Sequence, residues 1–139
     1  MTSKRLARLV RLKELAEQAR ATELLEQRQS LSRAEADLAY TQGQMDSVGH
    51  TGGVMTGSEL TVISDYREHL NHRAQLESQV IRKRTSDVRE AEGAVFKAWG
   101  ERRSMQSVHD RAASREELEE RRLEQLEMEE MALNRSRRK

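Results

Sequence analysis

The stretch VGHTGGVMTG, residues 48–57, decides the fold. Gly49, Gly52, Gly53 and Gly57 fall inside it and Gly43 lies just ahead. Glycine loses the most conformational freedom on entering a helix, so clustered glycines make continued helix costly. The chain has no proline, so nothing else forbids long helices. The expectation is one all-α coiled-coil domain over residues 1–139: helix one over about 3–47, the glycine turn at 48–57, and helix two over about 58–135. Thr56 and Glu59 have the T-x-x-E spacing of a capping box at the start of helix two, with Ser58 as a competing N-cap. Thr2 or Ser3 is placed to cap helix one.

On the N-terminal side of the turn, Leu24, Leu31, Leu38 and Met45 recur every seven residues, Ala34 fills an intervening position, and Leu6 and Val10 extend the register. That is the a/d pattern of a coiled-coil seam. Leu9, Leu12, Ala16 and Ala19 form a second stripe off that register, so either the seam broadens there or that end has an additional apolar face, and the second explanation suits a partner site. On the C-terminal side, Leu60, Ala74, Ile81, Val88 and Val95 share one heptad position, and Ile63, Leu70, Ala91, Ala98 and Met105 share the next. Arg67, Glu77, Arg84 and Arg102 interrupt that seam at core-type positions, where long side chains extend their charge to the edge.

Two such arms joined by a short turn fold back antiparallel. A turn centred at Gly53 sets Leu24 level with Ile81 and Leu6 level with Ala98 and Trp99. Tyr40 and Tyr66 then lie near each other at the turn end, and helix two has no partner from residue 104 onward. That unpaired part begins with an acidic segment, REELEERRLEQLEMEE at residues 115–130, and ends on the basic NRSRRK. Phe96 and Trp99 fall where the paired arms should end and read as a plug for the splayed coil, while Gly93 and Gly100 allow a bend or a close approach there.

Composition agrees with long helices. Ala, Glu, Lys, Leu and Arg make up 73 of the 139 residues, whereas Ile, Leu, Val and Phe together number only 26, at the floor for a packed globule. Disorder is disfavoured because 25 basic residues nearly balance 24 acidic ones. With no cysteine there is no disulfide framework and no thiolate chemistry, which points to a reducing cytosol. No apolar run reaches membrane-spanning length, and the opening MTSKRLARLVRLKE lacks the apolar segment of a signal peptide.

Candidate chemistry is sparse. His69 and His72 lie one turn apart near Asp65, but a zinc site needs more ligands, so no metal and no cofactor is expected. There is no phosphate-binding glycine loop and no G-x-S-x-G, so the chain reads as no enzyme and no catalytic residue is assigned. The near-neutral charge and scarcity of aromatics disfavour nucleic acid despite Arg82, Lys83, Arg84 and Arg89. Lys4, Arg5, Arg8, Arg11 and Lys13 give the N-terminal helix a basic face, suited to an acidic protein cavity or an acidic membrane surface.

Several parts then occur in a recognisable order: the opening RLARLVRLKELAEQARATEL, the glycine-bearing turn, the Y-x-x-x-L step from Tyr66 to Leu70, VFKAWGERR at residues 95–103, and the ending EQLEMEEMALNRSRRK. This order resembles the FliJ family of the flagellar type III export apparatus, with the YscO class of injectisomes as its counterpart; FliJ is the better likeness. The resemblance implies an antiparallel hairpin, similar to the coiled coil of a rotary ATPase gamma subunit, seated in the centre of a hexameric export ATPase of the FliI type. It implies that the open end binds that ring and promotes its assembly and activity. By position this maps to Leu6, Leu9, Leu12, Leu123, Leu126, Glu130, Met131, Asn134 and Arg135. A second contact, to an export gate protein of the FlhA type, maps to Tyr40, Tyr66, Leu70 and Ala74. Export chaperones are further partners the resemblance implies, as is a cytoplasmic location at the inner face of the inner membrane, reached only peripherally through the apparatus. The competing expectations are an injectisome stalk that binds chaperones, and a structural scaffold whose seam joins separate chains.

Overall fold

The computed structural model describes residues 2–49, 53 and 56–138. They form two α-helices, α1 (Ser3–Gly49) and α2 (Gly57–Arg137). The fold is an all-α hairpin with the longer helix second. Helix α2 starts where the sequence signals it: the Thr56 N–H donates to Glu59 Oε2 at 3.2 Å and the Glu59 N–H donates to Thr56 Oγ1 at 3.3 Å, a reciprocal capping box that selects Thr56 over Ser58. In the connection, Gly53 has φ +146°, a conformation that side chains with a Cβ rarely adopt. His50 and Gly52 lie outside the described residues.

The chain divides into two compact units. One spans Arg20–Val95. Here the helices run antiparallel, as three contacts show: Arg28 with Glu92 at 3.4 Å, Thr41 with Glu77 at 2.7 Å, and Arg67 with the Val48 carbonyl at 3.3 Å. Leu31, Ala34, Leu38 and Met45 of α1 face Leu70, Ala74, Ile81 and Val88 of α2, all of them buried or half-buried. The heptad faces are those of the sequence pattern. At the centre lies a polar insertion, because Thr41 is fully buried and donates its hydroxyl proton to Glu77 Oε1, which also accepts from Arg73 Nε at 3.0 Å.

The other unit joins Met1–Ala19 to Phe96–Lys139. Ser3 pairs with Glu116, Lys13 with Glu101 at 3.3 Å, and Glu17 with Arg102. Leu6 and Val10 are buried against α2, where Ala98 is buried and Met105, His109 and Ala112 are half-buried.

These contacts correct the expected register. Helix α2 does not begin level with the end of α1: residues 57–66 precede Arg67, which meets the last turn of α1, and Leu60 and Val62 are accordingly exposed. Each α1 residue therefore lies opposite an α2 residue well C-terminal to the one a symmetric turn would give. Leu6 is level with the Ala112 region, not with Ala98 and Trp99, and Leu24 is near Ala94 and Val95, not Ile81. Pairing on α2 reaches Glu116, so the unpaired segment starts about three turns later than residue 104.

Candidate partner-binding end

Helix α1 has no acidic residue in its first turn and no basic residue in its last. A helix N-terminus carries partial positive charge and free amides, and a C-terminus the reverse, so both ends need complements. Helix α2 supplies them. At the C-terminal end of α1, Arg67 donates to the Val48 carbonyl. At the N-terminal end, Glu116 accepts from the Ser3 amide at 2.8 Å through Oε1 and from the Ser3 hydroxyl through Oε2. The Ser3 hydroxyl and amide bonds hold the Glu116 carboxyl below its ordinary range. Sequence reasoning placed Thr2 or Ser3 as a local cap; Ser3 instead reaches across to the other helix, while the Thr2 carbonyl accepts from Arg5 and Leu6 at 3.1 Å. The signal that finds Glu116 is the bare first turn of α1 itself.

Glu116 marks where pairing stops. From residue 114 to its end at residue 137 every residue of α2 is exposed. Leu118, Leu123, Leu126, Met128, Met131 and Leu133 leave large apolar side chains in solvent, and Leu123, Leu126 and Leu133 continue the heptad positions of the seam. Local ion pairs hold this helix without tertiary support: Arg121 with Glu117 at one-turn spacing and Arg122 with Glu119. An apolar, unpartnered continuation of a coiled-coil seam is a surface that fits another protein.

The residues assigned to ATPase binding divide into two groups. Leu123, Leu126, Glu130, Met131, Asn134 and Arg135 all lie on the free segment. Of the three from α1, Leu6 is 4% exposed and faces α2, Leu9 is half-buried, and Leu12 is exposed at 61%. Leu12 is level with the Arg102 to Met105 stretch, so it lies about 30 Å along the helix from Leu126. The structure thus places the α2 group on one exposed stretch of helix, with Leu126 and Arg135 on opposite sides of it, and leaves the α1 group one helix-width away and displaced.

The residues assigned to gate binding do not cluster. Tyr40 and Tyr66 are both exposed, but Tyr40 is level with Glu77 through its neighbour Thr41, whereas Tyr66 is level with the end of α1 through Arg67. The step from residue 77 to residue 67 is about 15 Å of helix. Leu70 is 1% exposed and points into the seam, and Ala74 is half-buried beside it. Leu70 holds the hairpin together; its side chain offers nothing to a docking partner. Phe96 and Trp99 are also not a plug. They stack at 5.9 Å between centroids, and Phe96 is 72% exposed on the side of α2 away from α1.

Among the described residues, no cluster of three or more His, Asp or Glu is placed to hold a metal ion, and no helix is long and apolar enough to cross a membrane. His109 instead contacts Asp110 at 3.2 Å; the Gln106 amide and then the His109 ring hold the Asp110 carboxyl below its ordinary range. Depressions in the surface are open grooves along helix faces, such as that lined by Arg103, Ser107, Asp110 and Arg111.

An all-α hairpin with an interhelical clip at one end, and a free amphipathic extension beyond it, defines a helical interaction protein. The model of one family, the flagellar FliJ protein family, matches residues 2–139. The chain belongs to the FliJ family, the stalk proteins of flagellar and related type III export, which are structural components and not known enzymes. No curated protein and no solved structure matches the chain.

Proposed function

We propose that this protein is the stalk of a type III export ATPase, inserting its open end into the centre of a FliI-like hexamer, promoting assembly and hydrolysis, and linking the ring to a FlhA-like gate. The observation that carries this reading is the free segment after Glu116, where Leu123 and Leu126 extend the seam with no α1 residue to cover them. Such a helix contacts only some subunits of a near-symmetric ring at a time, so it biases their states in turn; a differential of about 1–3 kcal/mol between states is sufficient for coupling.

Within this reading the contact is made by Leu123, Leu126, Glu130, Met131, Asn134 and Arg135, with the exposed Leu12 and the half-buried Leu9 as the α1 contributors and Leu6 supporting the end from inside. The gate contact falls to Tyr40 or Tyr66, each acting separately, with Leu70 and Ala74 as the packing beneath. The test is the hydrolysis rate of the cognate export ATPase with and without this protein, together with sedimentation of the mixture. Stimulation and a ring-sized complex are expected, and the Leu123→Ala, Leu126→Ala pair should abolish both while helicity stays intact. Absence of both binding and stimulation by the native chain sinks the reading.

A further inference from the structure

Over its first turns α1 shows solvent a face without a carboxylate. With about 100° of rotation per residue, Lys4, Arg8, Arg11, Leu12 and Leu15 fall within about 100° of one another, and Arg5 lies about 20° past Leu12. All six are exposed, Leu12 at 61% and Leu15 at 45%. The buried Leu6 and Val10, which mark the side turned to α2, each lie about 160° from Arg8. The same rotation carries Glu14 and Glu17 towards α2, where both are half-buried and Glu17 meets Arg102. The stretch is bounded as well: continuing along the chain, the next charged residues at this rotation are Glu23 and Glu26.

The cations of this face are almost wholly uncompensated. Lys4, Arg5 and Arg8 make no ion pair or side-chain hydrogen bond with the described residues, and Arg11 reaches Glu14 at 3.5 Å in an exposed pair one turn apart. Because the whole chain carries a net charge of only +1, attraction to an anion comes from this local concentration and not from overall charge. Shape narrows the choice of anion. The face is the convex outer side of one helix, where an acidic partner helix would touch a single ridge. A plane of negative headgroups instead meets all six side chains at once: the basic groups reach the phosphates on their long stems, and Leu12 and Leu15 enter the acyl boundary between them. Leucines interleaved with cations on one helix face are the pattern of a membrane-surface helix.

We propose that this face docks the protein on an anionic phospholipid bilayer, with α1 parallel to the membrane plane, Lys4, Arg5, Arg8 and Arg11 on the headgroups, and Leu12 and Leu15 inserted. Two leucines bury little area, so the attachment is reversible and mostly electrostatic. The proposal does not rest on the ATPase reading, whose contact is carried by Leu123 and Leu126; Leu12 is the exposed residue common to both.

Flotation of the full-length chain with vesicles, in the absence of any ATPase, tests it. At low salt the chain should float with mixed phosphatidylcholine and phosphatidylglycerol vesicles and stay behind with phosphatidylcholine alone. Salt at about 1 M, where charge is screened within about 3 Å, should release it. Each cation near such a surface contributes about fivefold in affinity, so Arg5→Glu with Arg8→Glu should weaken binding at least about thirtyfold. Helicity should survive, since neither side chain has a partner and acidic residues near the N-terminus of a helix complement its dipole. Arg82→Glu with Arg89→Glu makes the same change in net charge at exposed positions elsewhere and should leave binding unchanged. The chain has no cysteine, so a polarity-sensitive fluorophore on Leu15→Cys should shift to the blue on anionic vesicles, while the same label on the exposed Ser114→Cys of α2 should not. Equal loss in the two charge-reversed pairs overturns the proposal, because total charge then suffices, and so does an equal shift at Ser114→Cys, which means another surface. Failure to float at low salt also overturns it, and retention on poly-L-glutamate in that case assigns the face to an acidic protein.

Discussion

Glu116 is where one side chain decides how an end of the hairpin is closed. Its two oxygens take the Ser3 amide and hydroxyl, and both bonds favour the ionised form. The folded-state value therefore lies below the ordinary 4.5. A carboxyl depressed on folding stabilises the fold fully above its unfolded value and loses that contribution as pH falls through the folded one. Glu116→Gln should thus lower the denaturation midpoint at pH 7, and the gap to the native chain should close in strong acid. Urea unfolding at the two pH values measures it, and a gap that persists in acid means ionisation is not the cause. Thr41 and Glu77 present the opposite situation, a polar pair inside the seam. Glu77 Oε2 is buried without a hydrogen-bond partner among the described residues, so the pair already carries a desolvation cost. Thr41→Val removes the hydroxyl that serves Oε1 and should destabilise by about 1–3 kcal/mol. Replacing both residues, with Glu77→Leu added, should recover that loss or exceed the native stability, because an apolar pair needs no compensation. Chemical denaturation of the single and double variants decides it.

At the scale of the helix, the faces were legible and the register was not, for one physical reason. A heptad pattern says which side of α1 is buried, and Leu31, Ala34 and Leu38 are indeed in the seam. Sliding one helix past the other by a heptad restores the same apolar match, so periodicity alone does not select an alignment. What selects it are the polar contacts that do not repeat: Thr41 with Glu77, Arg28 with Glu92, Glu17 with Arg102, and the two α2 side chains that complete the ends of α1. Arg67 looks like a flaw in the seam until its acceptor, the Val48 carbonyl, is known. The start of α2 was legible to within a residue or two because a capping box is local: Thr56 and Glu59 need no information from elsewhere in the chain. Thr56→Ala should accordingly cost about 1 kcal/mol, seen as faster amide exchange confined to the first turns of α2. Protection lost along the whole helix would show that the cap nucleates far more than its own turn.

For the whole molecule, the separation of the clip from the free segment makes folding and partner binding separable. The last contact that α1 makes with α2 is at Glu116, and beyond it the described residues of α2 are stabilised only by their own helix and surface ion pairs. Exposed pairs of that kind contribute about 0.3–0.5 kcal/mol each. The residues that sequence reasoning placed on this segment, Leu123 and Leu126 among them, are exposed because no described residue of α1 lies opposite them; Leu6 and Leu70, chosen by the same pattern, are buried because α1 and α2 do meet there. Among these four residues, apolar character along the seam therefore left exposed surface only where no described residue of α1 lies opposite. Ending the chain after residue 120 should leave the hairpin's thermal midpoint within a few degrees of the native value, since 1 kcal/mol moves a domain of this size by about 2–8 °C. The same truncation should remove stimulation of the export ATPase entirely. Thermal circular dichroism and hydrolysis assays on the one variant test both halves. A midpoint that collapses would mean the segment supports the fold, whereas stimulation that survives would move the contact back to Leu12 and the basic face of α1.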